Sequence, residues 1–126
     1  MANLVLPEAM KRSYDNFHFA PAQIHEGVLY ASGQLGTAAD GSIPEDPEEE
    51  FRNAWNAVGA ILNEAGMDFS NIVEFTTYHV GLQANMGKFM KVKDEFIKEP
   101  YPAWTAIGIT ELAIPGARVE IRVRAG

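Results

Sequence analysis

Cysteine is absent from the 126 residues, which excludes a disulfide framework, a thiol nucleophile and a thiolate metal site. Histidine is scarce. The three present, His18, His25 and His79, show none of the i, i+4 pairing of a zinc-binding helix, so no metal is expected. Positive charge is short as well: a formal net charge of -7 argues against a surface built to neutralise phosphates, and nucleic acid is not an expected partner. No apolar run approaches the ~20 residues that span a bilayer. No glycine-rich cradle of the P-loop or dinucleotide type is present, and no cofactor is expected. Ser32-Gly33 lacks the flanking glycines of a nucleophile elbow. The stretch Met1 to Glu8 has no basic flank and its apolar run stops at Pro7. A soluble cytoplasmic protein with no membrane partner is the expectation.

What is there suffices for one core. A hydrophobic content of 47% in a chain of this length supports a single domain, residues 1–126. Residues 2–14 are aperiodic and are expected to form a short edge strand followed by an arm. Gly27, inside a β-favouring region, marks a hairpin turn, with Val28 to Ser32 as a strand. Leu35 to Asp46 is rich in Gly, Ala, Asp and Pro, and reads as a loop. Asp46-Pro47-Glu48-Glu49 then combines an N-cap acceptor, a first-turn proline and a glutamate placed to reach back to the cap. Phe51, Trp55, Val58, Ile61, Leu62 and Ala65 follow at helical spacing, and Gly66 supplies a stop. The acidic run Glu45, Glu48, Glu49 and Glu50 suits a helix N-terminus and needs no partner.

Ile72 to Val80 is rich in β-branched and aromatic residues and suits a central strand. In it His79 reads as a neutral core histidine in preference to a catalytic one. His18 neighbours Phe19, and His25 lies near a turn; both read as solvent-facing. A second helix is expected over 85–98, with Met86, Phe89, Met90, Phe96 and Ile97 on its apolar side. Pro100 and Pro102 hold the chain extended into a strand that carries Trp104. After a turn at Pro115-Gly116, the last strand alternates Ala117, Val119, Ile121 and Val123 with Arg118, Glu120, Arg122 and Arg124. The fold class is α+β, a single mostly β-sheet layer with two helices on one face. Two helices cover only one face of such a sheet, so the other is expected either to be unusually polar or to pack against another copy of the chain.

Tyr30-Ala31-Ser32-Gly33-Gln34, the capped helix ending Ala65-Gly66, and Tyr101-Pro102-Ala103 occur in an order that resembles the RidA family, also called YjgF-like or endoribonuclease L-PSP-like. The resemblance runs from about Phe17 to Arg124. It implies a chorismate-mutase-like fold and a homotrimer whose sheets face the threefold axis. It also implies small-metabolite clefts between subunits, in which deaminase members hydrolyse enamines and imines. In those members an arginine follows the aromatic-Pro-Ala sequence and holds the substrate carboxylate; here that position is Trp104. The family's cleft tyrosine falls at Phe19, its helix asparagine at Met90 and its last-strand glutamate at Arg122. Ser32, Gly33 and Gln34 remain.

A planar guanidinium matches a carboxylate's two oxygens, whereas an indole offers one donor and a flat apolar surface. Two readings of the changed residues stand side by side: a cleft rebuilt for another ligand, and aromatic packing of a subunit interface. For the first, the candidate ligand contacts are Phe19, Ser32, Met90, Tyr101, Trp104 and Arg122, and the catalytic candidates for water attack on a C–N bond are Glu120 and Arg122. A noncatalytic binding or interaction module is the alternative. Ribonuclease activity is disfavoured by the acidic balance and the lack of paired catalytic histidines.

Overall fold

The computed structural model describes residues 3–126. Its elements in chain order are β1 (Leu4–Val5), a 3-10 turn (Glu8–Met10), α1 (Lys11–Phe17), β2 (Ala22–His25), β3 (Val28–Ala31), β4 (Gln34–Leu35) and α2 (Pro47–Glu64). A second 3-10 turn (Phe69–Asn71), β5 (Ile72–His79), α3 (Leu82–Phe96), β6 (Ala103–Gly108) and β7 (Val119–Ala125) complete it. The strands form one sheet in the order β1-β2-β3-β7-β5-β6, and β4 also pairs with β7. Neighbours are antiparallel except β5 and β6, which run parallel with α3 as the crossover. Among the described residues no helix is long and apolar enough to cross a membrane.

The helix α2 forms where its signals lie. Asp46 accepts the Glu48 N–H at 3.1 Å, Pro47 opens the helix, and Gly66 closes it with its N–H on the Asn63 carbonyl. Phe51, Ala54, Trp55, Val58, Ile61 and Leu62 face the sheet and are buried. Trp55 sits at the centre, edge-on to Phe75 at 5.3 Å and stacked on Phe96 at 6.0 Å. Burying each such side chain stabilises by roughly 1.5–3 kcal/mol. From the sheet come Val119, Ile121, Val123 and Ala125 of β7 with Phe75, Thr77 and His79 of β5, all buried. The opposite sheet face is open, with Tyr30, Val73 and Ile107 exposed and Arg124 pairing with Glu74 at 3.2 Å.

Several expectations need correction. Residues 11–17 form a helix, although the expected arm ran on to residue 14; α1 buries none of its side chains, so no apolar period announces it. The two-residue β4 ends on Leu35, the first residue of the expected loop, and is too short to leave a pattern. The helix α3 starts at Leu82, with Phe89 and Val92 as its buried residues, and Met90 faces outward. The expected arm and edge strand include residue 2, which lies outside the described residues.

The acidic run at the start of α2 does have a partner. Glu50 is fully buried, and its carboxylate accepts the Arg118 backbone N–H at 2.6 Å and the Arg118 Nη1 at 2.6 Å. The same guanidinium donates to the carbonyls of Pro44 at 3.1 Å and Glu45 at 2.9 Å. Arg118 thus leaves the polar face of the last strand and clamps the loop before α2 to the start of β7. At the same helical turn the chain at Gly36 passes so close that a Cβ there would lie 1.9 Å from the Glu50 carbonyl oxygen. Only glycine fits. Arg118→Met strands a buried carboxylate and is expected to cost ~3–5 kcal/mol in urea unfolding. Arg52→Ala, which breaks the exposed Arg52–Glu95 pair, should leave stability almost unchanged. Equal effects from the two would contradict the clamp.

Candidate functional site

The candidate residues fall into two groups on different parts of the chain. The first surrounds β4. Ser32 Oγ donates to the Ala20 carbonyl at 2.6 Å, so its hydrogen is spent tying the end of β3 to the segment before β2. Gln34 Nε2 donates to the Ser32 carbonyl at 3.1 Å. Gly33 lies hard against Glu120: a Cβ at Gly33 would come within 2.4 Å of that side chain, so the carboxyl packs on bare backbone. Burial pushes the Glu120 carboxyl above its usual range. Phe19, 47% exposed, lines a cavity of about 300 Å³ with Tyr14, Gln34, Asn53 and Ile114.

The second group lies at the β6 edge of the sheet. Trp104, half-buried, points to the helix side. Its indole N–H donates to Thr77 Oγ1 at 2.9 Å, and its ring stacks on Phe75 at 5.5 Å and leans on Phe89 at 5.9 Å. The Lys93 ammonium sits 5.0 Å from the ring centroid. Met90 and Tyr101 are exposed, at 40% and 67%. Trp104 is therefore a fixed side chain whose one donor is already used.

One chain does not bring all the candidates together. Glu120 and Arg122 share a face, as their parity requires, but it is the open face, because Val119, Ile121 and Val123 turn to the helices. Trp104 lies on the helix side, two strands away across β5. At roughly 4.8 Å per strand, β6 lies ~10 Å from β7, so Arg122 and Trp104 of one chain do not share a wall. Arg122 is exposed beside Glu74, Thr76 and Arg124 in a shallow depression of about 50 Å³. Sequence reasoning passed over Thr77 and Lys93. Lys93 had a signal, since it follows Met90 by three on α3 and so shares its side of the helix; Thr77 had none, because its contact with Trp104 depends on the register of β5 and β6.

The family model described as endoribonuclease L-PSP matches residues 11–126. The chain belongs to this family, that of RidA and YjgF. A RutC family protein, YjgH, of Escherichia coli is 34% identical over 94% of this chain and 90% of its own length. A 2-iminobutanoate/2-iminopropanoate deaminase of Bos taurus is 33% identical over 82% of this chain and 75% of its own. Among solved structures, a YjgH protein superposes with a TM-score of 0.89 at 33% identity, covering 98% of this chain and 95% of its own. RidA of an Antarctic Psychrobacter does so with a TM-score of 0.79 at 25% identity, covering 85% and 86%.

The surroundings of Trp104 suit an indole. Thr77 Oγ1 is also 2.6 Å from His79 Nε2, and His79 meets Phe89 edge-on at 4.8 Å. Burial holds His79 below the usual histidine value of 6.5. A neutral ring satisfies the contact, with Nε2 accepting the Thr77 hydroxyl hydrogen while Thr77 Oγ1 accepts from the indole. No metal-holding cluster of acidic, histidine or cysteine side chains occurs among the described residues.

The lowered value has a sign. Below the unfolded value near 6.5, the unfolded chain binds a proton that the folded chain resists, so this contribution to stability is present above that pH and is lost as pH falls through the depressed folded value. The stability difference between wild type and His79→Gln should therefore shrink as pH is lowered from 7 in urea titrations. A difference independent of pH would mean that His79 titrates normally.

Proposed function

We propose that this protein is a homotrimer that hydrolyses the C–N bond of a small imine, at a site formed between neighbouring chains and without the arginine of its deaminase relatives. The observation that carries the reading is Glu120, a half-buried carboxyl of raised proton affinity set against the bare backbone of Gly33, in a chain 33% identical to a named imine deaminase. Hydrolysis needs a group that removes a proton from water as the oxygen attacks the C=N carbon, and returns it to nitrogen. The hydroxyl proton of the resulting carbinolamine then passes through the same group to nitrogen as the C–N bond breaks, so that ammonia leaves and a carbonyl remains. A carboxyl moved toward neutral pH suits both steps.

The placement of the groups supports a shared site. Glu120 and Arg122 look out from the open face of β7, while Met90, Tyr101 and Trp104 lie at the β6 edge, an arrangement that favours a site completed by a neighbouring copy. The exposed Tyr30, Val73 and Ile107 on the open face give such copies an apolar surface to bury. With Arg118 committed to Glu50, Arg122 stays on that face as a cation for a neighbouring site.

A noncatalytic binding module is the second reading. It draws on Trp104, whose N–H is spent on Thr77 and whose ring is packed within its own chain. Ribonuclease activity, the sense of the family's older name, fits poorly with a net charge of -7.

The test is hydrolysis of 2-iminopropanoate generated in place by an amino-acid oxidase and trapped competitively. The wild type should exceed the uncatalysed rate, and Glu120→Gln should lower the catalysed rate about 10²-fold or more. No wild-type rate on this imine or its 2-iminobutanoate homologue would overturn the hydrolase reading in favour of binding alone.

A further inference from the structure

Lys93 lies on the last turns of α3 with only 13% of its side chain exposed, an uncommon position for a strongly hydrated ammonium. Two things hold it there. The Trp104 ring receives the ammonium at 5.0 Å from its centroid, and the neighbouring Asp94 lends a carboxylate oxygen at 3.2 Å while itself staying 67% exposed. Residues adjacent in a helix do not ordinarily face one another, so a contact between Lys93 and Asp94 is an unusual one. Lys93 also shares its side of α3 with the exposed Met90. Among the described residues, it is the cation recorded against Trp104.

We infer that Lys93, carried on the Trp104 ring, is the cation that holds the carboxylate of the substrate. This deepens the imine-hydrolase reading and rests on it for the identity of the ligand: a 2-imino acid bears a carboxylate that needs a counter-charge. Ring and ammonium together take the place of a guanidinium. Thr77 fixes the indole, the indole fixes the ammonium, and Asp94 occupies that ammonium until a ligand carboxylate displaces it. Arg122, on the other face of the sheet, is not required for this contact. An ammonium is a point charge with three rotatable donors, so it does not impose the planar two-oxygen geometry of an arginine fork. The site should therefore accept anionic groups that differ in shape, a sulfonate as well as a carboxylate.

Pyruvate, with uncharged pyruvamide as control, serves as the probe. The readout is the indole N–H resonances of the two tryptophans, with the fully buried Trp55 as internal reference. In the wild type, millimolar pyruvate should move the Trp104 signal and pyruvamide should not. Lys93→Met should weaken the pyruvate response about tenfold, the worth of one charge-assisted hydrogen bond. Lys93→Arg should keep the response, and Asp94→Asn, which frees the ammonium, should strengthen it. If Lys93 serves only as a cation for the C-terminus of α3, Lys93→Met will lower stability and leave the pyruvate response intact. That result, an equal response to pyruvamide, or no wild-type response overturns the inference. Pyruvate bound through Lys93 with no imine turnover keeps the site and removes the hydrolase, whereas turnover indifferent to Lys93→Met keeps the hydrolase and removes the site.

Discussion

A carboxylate with no exposure to solvent sets the frame of this protein. Glu50 enters the interior on the first turn of α2 because Arg118 meets it there with both a backbone N–H and a guanidinium, two further bonds of which go to the carbonyls of Pro44 and Glu45. Each oxygen of the buried carboxylate has a partner, which is the condition under which burial of charge is tolerated. The clamp joins the loop before α2 to the start of β7, and Glu120 stands two residues beyond Arg118 on that strand. Gly36 lies beneath the same helical turn and follows β4 directly. One buried ion pair therefore sets the positions of both strands that frame the Gly33–Glu120 contact.

Much of this was legible in the residues, for identifiable reasons. Helix α2 carried a cap, a proline and a long apolar stripe, and each signal pointed to the same boundaries. The alternation of β7 separated Val119, Ile121 and Val123 from Glu120, Arg122 and Arg124 correctly. Arg118 escaped that rule because it precedes the regular strand and answers a charge on another element. The helix α1 stayed hidden because it buries nothing, and β4 because two residues hold no period. Family membership was legible from short motifs spread in order along nearly the whole chain.

The candidate site was less legible than the fold. Parity told which residues of one strand share a face, yet it could not place a residue of β6 relative to a residue of β7. Phe19, Ser32, Met90, Tyr101, Trp104 and Arg122 were grouped from resemblance; within one chain they form separate groups, with Arg122 and Trp104 on opposite faces. Trp104 is held at several points: Phe75, Thr77 and Phe89 receive the ring and its donor, and the Lys93 ammonium lies against its face.

The account depends on the two groups meeting across neighbouring copies, so the mass of the protein in solution tests it most directly. Sedimentation equilibrium over a range of concentrations should give three times the chain mass of 13.8 kDa, with no dissociation at the concentrations used to assay the imine. A monomer at those concentrations would leave Glu120 and Trp104 on separate surfaces and would contradict the account.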